Sequence, residues 1–210
     1  VQCIYYVIEN SIETFKYRMC GVPLACSKSH TSYYLPVYVD DSIYIRERID
    51  QKKLIEDGFS LFENEFNMKS LSTVAPGIGW TDLTERIWRK RGIKYLQGGY
   101  LQEHHTTNYV RYFPHYLGEK SHGNEMFYLV RNCLFEPSDS TDNGYWKSTL
   151  RQIENAFRRK TPAIISSHRV NYIGSISEIN RNKSLNQLDL LLRAIIRQWP
   201  DVIFMNTVQL

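Results

Sequence analysis

Apolar and polar positions alternate in blocks along this chain, and from about residue 46 the blocks predict helices and strands in turn. From there to Phe66, apolar side chains recur at helical spacing and acidic ones lie largely off that face, which predicts an amphipathic helix. Short apolar runs with the length of buried strands follow it. These runs are residues 72–75, 93–96, 126–130, 162–165 and 202–205.

Helical spacing returns between these runs, and local signals mark where the helices begin and end. Thr81 or Asp82 can cap a second helix that Gly92 ends. A third helix carries an apolar stripe around Ile153. The last helix opens at Leu185, after the cap-type residues 180–184, and stops at residues 199–201.

Strands that alternate with helices predict an α/β fold, with parallel strands joined by right-handed crossovers. A doubly wound sheet and a closed barrel both fit this pattern. Polar or aromatic side chains directly follow most of the predicted strands, which favours a barrel, because barrels build one shared site from several strand ends. The residues at these ends are Trp80, Gln97, Arg131, Asn132, His168, Arg169 and Asn206.

Two stretches depart from this alternation. Residues 1–45 give only weak strand signals, so the predicted domain covers residues 46–210. Residues 100–124 contain histidines among tyrosines and glycines without periodicity, and they predict a long functional or mobile loop. The adjacent His104 and His105 cannot easily face one ion, and Asp40-Asp41 opens a helix-like stretch where acidic residues favour the positive helix end. Neither pair is therefore favoured as a metal site.

Composition narrows the classes of function. The 210 residues are 23% charged with a net charge of +4, as in an ordinary globular protein, and the scattered basic residues argue against nucleic-acid binding. No stretch has the roughly 18 apolar residues of a membrane span. The cysteines form no CxxC pair, and no glycine-rich phosphate motif indicates a nucleotide cofactor. The chain begins without methionine, and we expect it to be N-terminally incomplete.

His168 is the strongest candidate for chemistry. It follows the apolar run that ends at Ile165, and in α/β folds ligands bind beyond the carboxyl ends of parallel strands. Either Arg169 or Asn171 could orient the imidazole. The alternative is a histidine that ends a strand and bonds a backbone carbonyl, and position alone leaves both readings open.

Four segments of the chain resemble the C-terminal part of a polysaccharide deacetylase-like protein, of the NodB carbohydrate esterase type found in bacterial surface-polysaccharide loci. They are residues 72–76 followed by Trp80, residues 92–98, residues 162–181 and residues 199–205. The segment around His168 carries most of the likeness, which extends over residues 46–210.

The resemblance implies a distorted (β/α) barrel that removes N- or O-acetyl groups from a bacterial glycan with the help of a divalent metal, usually zinc. It implies that His168 is the general acid and that Pro76 lines the substrate groove. We expect further substrate contacts from the strand-end residues Trp80, Gln97, Arg131, Asn132 and Arg169, together with Asn171. The family's Asp-Asp and His-x3-His metal motifs are not found in this chain, so no metal ligand is assigned, and we expect them upstream of Val1.

Two other functions remain open. One is a non-catalytic carbohydrate-binding or scaffolding barrel module that lacks its metal site, in which Trp80 and the tyrosines would stack on sugars. The other is a glycosidase, which needs two carboxylates flanking the scissile bond. The acidic residues in suitable loops, Glu103, Glu119, Glu136 and Asp139, show no pairing in the sequence.

Overall fold

A computed structural model describes residues 51–75, 78–105, 110–123, 125–175 and 177–210. Three sequence predictions lie outside these residues: the weakly assigned segment 1–45, the Asp40-Asp41 pair and the groove proline Pro76. The chain divides into two compact units, residues 1–130 and residues 131–210. The boundary between them falls within residues 46–210, the range predicted as one domain, and the single domain stays a prediction.

The described part of the first unit alternates two helices with strands and then adds a hairpin. Its elements are α1 (Gln51–Phe66), β1 (Ser72–Val74), α2 (Asp82–Lys90), β2 (Tyr95–Gly98), β3 (Leu101–His105), β4 (Val110–Pro114) and β5 (Phe127–Val130). Strands β1, β2 and β5 form a parallel sheet in that order. The prediction of parallel strands is therefore confirmed for these three.

The core of the first unit is aromatic and aliphatic, and it lies between the sheet and the two helices. Leu96 and Tyr128 are register partners on β2 and β5, and both are buried with Trp88 of α2 and Ile55 of α1. The predicted cap of α2 is also confirmed: the Thr81 hydroxyl accepts a hydrogen bond from the Thr84 backbone N–H, and the Thr84 hydroxyl accepts one from the Thr81 backbone N–H.

The stretch predicted as a long loop, residues 100–124, contains the antiparallel pair β3–β4. The prediction of a structureless loop is therefore wrong for residues 101–105 and 110–114. All five residues of β4 are exposed, so the strand lacks the buried face that produces an apolar alternation. Cross-strand hydrogen bonding, which leaves no signature of this kind in the sequence, holds the hairpin together.

The second unit places two parallel strands against two helices. Its elements are β6 (Cys133–Leu134), a 3₁₀ turn (Pro137–Asp139), α3 (Tyr145–Arg158), β7 (Ile165–Ser166), a second 3₁₀ turn (Arg169–Asn171) and α4 (Glu178–Gln198). Strands β6 and β7 pair in parallel. Their core consists of Cys133 and Phe135 packed with Ile153 of α3 and Leu191 and Ile195 of α4.

Two predictions for the second unit need correction. Helix α4 begins at Glu178 instead of Leu185, because the Ser177 hydroxyl caps it by accepting the Asn180 backbone N–H at 3.2 Å. The predicted last strand, residues 202–205, is not a strand: no strand of the described residues pairs with it, and Ile203 and Phe204 are 72% and 57% exposed. An apolar run forms a strand only where a partner accepts its backbone hydrogen bonds.

Within the residues described, the strands form one three-stranded and two two-stranded sheets, and none of these sheets closes on itself. The described residues thus form a mixed arrangement of helices and small sheets, and the α/β fold with a distorted barrel stays a prediction. Among the same residues, no helix has both the length and the apolar character needed to cross a membrane.

Candidate active site

The parallel pairing of β6 and β7 brings a carboxylate and an imidazole to the same sheet edge. Leu134 and Ser166 are register partners, and Glu136 and His168 each lie two residues further along their strands. Both side chains therefore stand at the carboxyl ends of the pair, which is the edge where α/β folds place ligands.

Glu136 and His168 form a tight dyad there. The His168 Nδ1 lies 2.6 Å from Glu136 Oε1, and the His168 backbone N–H donates to the same oxygen at 3.0 Å. The burial of the two side chains differs sharply: the Glu136 side chain is 6% exposed, whereas the His168 side chain is 56% exposed. A buried carboxylate thus holds an imidazole that faces solvent.

Asn171 fixes the second carboxylate oxygen. This residue is fully buried, and its Nδ2 donates to Glu136 Oε2 at 2.7 Å and to the His168 carbonyl oxygen at 2.9 Å. Its Oδ1 accepts the Ser138 backbone N–H at 3.0 Å. Asn171 therefore bridges the two 3₁₀ turns that flank the dyad, and its burial makes it a support for Glu136, since no sugar hydroxyl could reach it without displacing this packing.

These hydrogen bonds define the proton positions on His168. Glu136 already accepts from Asn171 and from the His168 backbone, and an ionised carboxylate has only acceptors to offer, so His168 Nδ1 carries a hydrogen and donates it. The Nε2 atom has no hydrogen-bond partner among the described residues. A histidine oriented in this way can accept or deliver a proton at Nε2 while its ring stays in place.

Two hydroxyls complete the cluster. The Ser167 Oγ lies 2.7 Å from the Tyr172 hydroxyl oxygen and accepts a longer bond of 3.3 Å from Asn171 Nδ2. Ser167 makes these contacts instead of bonding to His168 Nε2. The arrangement is therefore not a serine–histidine–glutamate triad, in which the histidine would bond the serine hydroxyl.

The other predicted strand-end residues of this unit are Arg169, Arg131 and Asn132. Arg169 is exposed and belongs to the 3₁₀ turn directly after His168. Arg131 and Asn132 lie before β6. Burial lowers the pKa of the Arg131 guanidinium and the nearby Glu136 charge raises it, so Arg131 lies within electrostatic range of the dyad. The Asn132 side chain there bonds Pro162 O and Ile164 N. The Asn132 side chain is thus committed to the backbone before β7, and the predicted substrate contacts of Arg131 and Asn132 stay predictions.

The predicted contacts from the first unit lie in or beside its core. Trp80 is 3% exposed, its indole N–H donates to Glu85 Oε1 at 2.9 Å, and a sugar could reach the ring only after this packing opened. Gln97 is half-buried on β2, where its Nε2 lies 3.5 Å from Ser72 Oγ. Both roles stay predictions.

The sequence predictions considered Glu136 only as an unpaired loop carboxylate and did not place it beside His168. The sequence predictions end the preceding strand at Val130, although a second apolar run, Cys133–Phe135, leads directly into Glu136. That run mirrors the one that leads into His168. The signal that could have paired Glu136 with His168 was this similarity: each residue directly follows a short apolar run.

The described residues do not fit a metal centre. Within residues 51–210, apart from the short gaps given above, no group of three or more histidine, cysteine, aspartate or glutamate side chains could hold a metal ion. Metal ions of the zinc type need three or four such ligands. The zinc implied by the family resemblance therefore has no ligand set among these residues.

Comparisons with known proteins leave the family open. A scan against protein-family models, a search of curated proteins and a search of solved structures each found no match to this chain. The case for a function therefore depends on the geometry of the dyad and on the resemblance described above.

Proposed function

We propose that this protein hydrolyses acetyl groups from a bacterial glycan and that the His168–Glu136 dyad carries the proton that the leaving group needs. The observation that supports this most directly is the 2.6 Å contact between a buried carboxylate and a half-exposed imidazole. Paired residues of this kind perform general acid–base catalysis, which accelerates reactions by about 10²- to 10⁴-fold.

The chemical step assigned to the dyad is one proton transfer. Water adds its hydroxyl to the acetyl carbon and releases its second proton to solvent, from which His168 is reprotonated after turnover, and the bond from that carbon to the sugar nitrogen or oxygen breaks. Protonated His168 donates from Nε2 to the departing amine or alkoxide, and acetate leaves. Glu136 accepts the Nδ1 hydrogen throughout, which stabilises the imidazolium before the transfer and orients the ring during it.

The glycan part of the proposal comes from the resemblance to the deacetylase-like family, in which a histidine at this position is the general acid. The described residues supply no metal ligands, and the dyad's role is assigned without one. If the dyad supplies the proton to the leaving group, the rate of acetate release depends on His168, whichever group activates the attacking water.

The test measures acetate release from acetylated glycans and from 4-nitrophenyl acetate by the purified protein. We expect His168→Gln to lower kcat by about 10²- to 10⁴-fold, because glutamine cannot carry the proton. His122→Gln, at an exposed histidine of the first unit, is the matched control and should keep full activity. Activity that survives in His168→Gln would contradict the proposal.

A second candidate function is glycan binding without catalysis, favoured by exposed aromatic side chains along the β3–β4 hairpin. Tyr112 and Phe113 are 58% and 40% exposed, and Tyr100 meets Tyr116 edge to face at 5.9 Å. Such rings combine apolar area with a polar edge. This function predicts that glycans bind without acetate release, and that Tyr112→Ala weakens binding whereas His168→Gln does not.

A further inference from the structure

Ser167 and Tyr172 form a hydroxyl pair directly beside the dyad. Their oxygens are 2.7 Å apart, and both side chains are half-buried. The pair is tied to Glu136 through one atom, Asn171 Nδ2, which bonds both Ser167 Oγ and Glu136 Oε2. The mechanism proposed above uses neither hydroxyl.

A count of hydrogens shows that this pair cannot satisfy itself. Each hydroxyl has one hydrogen, and only one of the two can lie between the oxygens. The third contact, from Asn171 Nδ2, brings a donor and no acceptor. Among the described residues neither hydroxyl has another partner, so one O–H of the pair has no acceptor from this part of the protein.

The free hydrogen can belong to either residue. If Tyr172 donates to Ser167, the serine O–H is free, and if Ser167 donates to Tyr172, the phenol O–H is free. Burial is the main cause that raises the pKa of Tyr172. The hydrogen bond with Ser167 lowers this pKa, and the nearby Glu136 charge raises it. The phenol therefore stays protonated at neutral pH and remains a donor.

We propose that the Ser167–Tyr172 pair is a catalytic hydrogen-bond donor, whose free O–H binds the acetyl carbonyl oxygen of the substrate as negative charge develops on it. This role rests on the proposed function and completes it: His168 protonates the leaving group while the pair stabilises the oxyanion. Donors aimed at a developing oxyanion are each worth about 10²- to 10³-fold in kcat.

Because either hydroxyl can supply the hydrogen, the pair is redundant. Tyr172→Phe leaves the serine O–H, and Ser167→Ala leaves the phenol O–H, so each single variant should lose less than about 10-fold in kcat. The double variant has no donor left and should lose about 10²- to 10³-fold, more than the product of the single losses. A merely structural pair would give the opposite coupling: either single change already breaks the bond between the two hydroxyls, so the double variant would lose no more than the product of the single losses.

The experiment measures kcat and KM for acetate release by the wild type, both single variants and the double variant. Ser148→Ala combined with Tyr145→Phe is the matched control, since both residues are half-buried on α3 of the same unit. A binding titration with methylphosphonate, a stable tetrahedral mimic of the hydrated acetyl group, gives a readout that does not need turnover. Thermal unfolding of each variant verifies that it folds.

A synergistic loss of kcat with KM nearly unchanged, together with weaker methylphosphonate binding in the double variant, is the expected result. Additive or absent losses, in a protein whose activity depends on His168, overturn the donor role and leave the proposed function intact. If activity proves independent of His168, the proposed function fails, and methylphosphonate binding that is equal in wild type and double variant then overturns the donor pair as well.

Discussion

Each of the two units contains a histidine paired with a glutamate, and the two pairs are buried in opposite ways. In the first unit, the His115 side chain is 10% exposed and its partner Glu119 is 36% exposed, with 3.3 Å between Nδ1 and Oε2. In the second unit, His168 is 56% exposed and Glu136 only 6%. The same two residue types are therefore arranged with the imidazole inside in one unit and outside in the other.

The surroundings of His115 commit both of its nitrogens to the fold. Its Nε2 lies 2.8 Å from Gln102 Oε1, whose amide nitrogen donates to the Trp80 carbonyl oxygen, and its ring stacks on Tyr128 at 3.7 Å. No nitrogen is left to exchange a proton with a ligand. His168 keeps Nε2 available, so the comparison shows that the buried partner decides the role: a buried imidazole supports packing, and a buried carboxylate orients an exposed imidazole.

The largest expected contrast is in stability after the two histidines are removed. His115→Ala should cost about 3 kcal/mol, because it deletes a stacked ring from the core and leaves Gln102 Oε1 without its donor. His168→Ala should cost about 1 kcal/mol or less, since the ring is more than half exposed. Urea unfolding followed by circular dichroism measures both. Equal losses would show that the burial contrast does not set the roles.

The two glutamates sharpen the same contrast. In Glu136→Gln, the new amide group must turn its NH₂ either toward the His168 donors or toward Asn171 Nδ2, so a donor faces a donor in both orientations. We expect a stability loss of about 1–3 kcal/mol and a fall in acetate release of about 10²-fold.

Glu119→Gln is the matched control for this change. The Glu119 carboxylate is partly exposed and pairs with His115, and both residues belong to the first unit. It should cost less than about 1 kcal/mol and leave activity unchanged. A Glu136→Gln protein with normal activity would indicate that His168 works without its carboxylate.

A smaller expected effect is the loss of folding stability at alkaline pH, which has a different cause in each unit. Burial raises the pKa of the Cys133 thiol from its ordinary 9.0 to about 11, so the stability it contributes is complete below pH 9 and is lost as pH rises through 11. Relative to Cys133→Ala, the wild type should lose roughly 2 kcal/mol by pH 11. Burial, followed by the charge and hydrogen bond of Glu85, also raises the pKa of Tyr128, so the first unit loses stability at pH above 10 independently of Cys133.

Urea unfolding of wild type and Cys133→Ala between pH 8 and 11, in the presence of a reductant, measures this difference. Tyr128→Phe should flatten the alkaline loss in the first unit and leave the Cys133 difference unchanged. A Cys133→Ala protein with the same pH dependence as the wild type would show that the thiol ionises as freely in the folded protein as in the unfolded chain.

Local patterns were sufficient for most helices and for three strands. Helix α2 begins after the predicted cap Thr81, and the apolar stripe around Ile153 lies on α3 as expected. Strands β1, β2 and β5 lie within a few residues of their predicted positions. Periodicity and capping involve residues at most four positions apart, so they can be read from a short stretch of chain.

Patterns failed where a distant segment decides the structure. The apolar residues 202–205 pair with no strand in the part of the chain that the structure describes and form none, whereas the exposed β4 is a strand because β3 pairs with it. The sequence of each segment is compatible with either outcome. Hydrogen-bonding partners far away in the chain made the choice.

The sequence by itself determined the kinds of element present and identified His168 as the titratable residue at a strand end, because these depend on the order of neighbouring residues. Only the tertiary structure decided that Glu136, 32 residues earlier, is the partner of that histidine and that Asn171 lies beneath both. The parallel register of β6 and β7 made that choice, since a shift of one residue would turn Glu136 to the other face of the sheet.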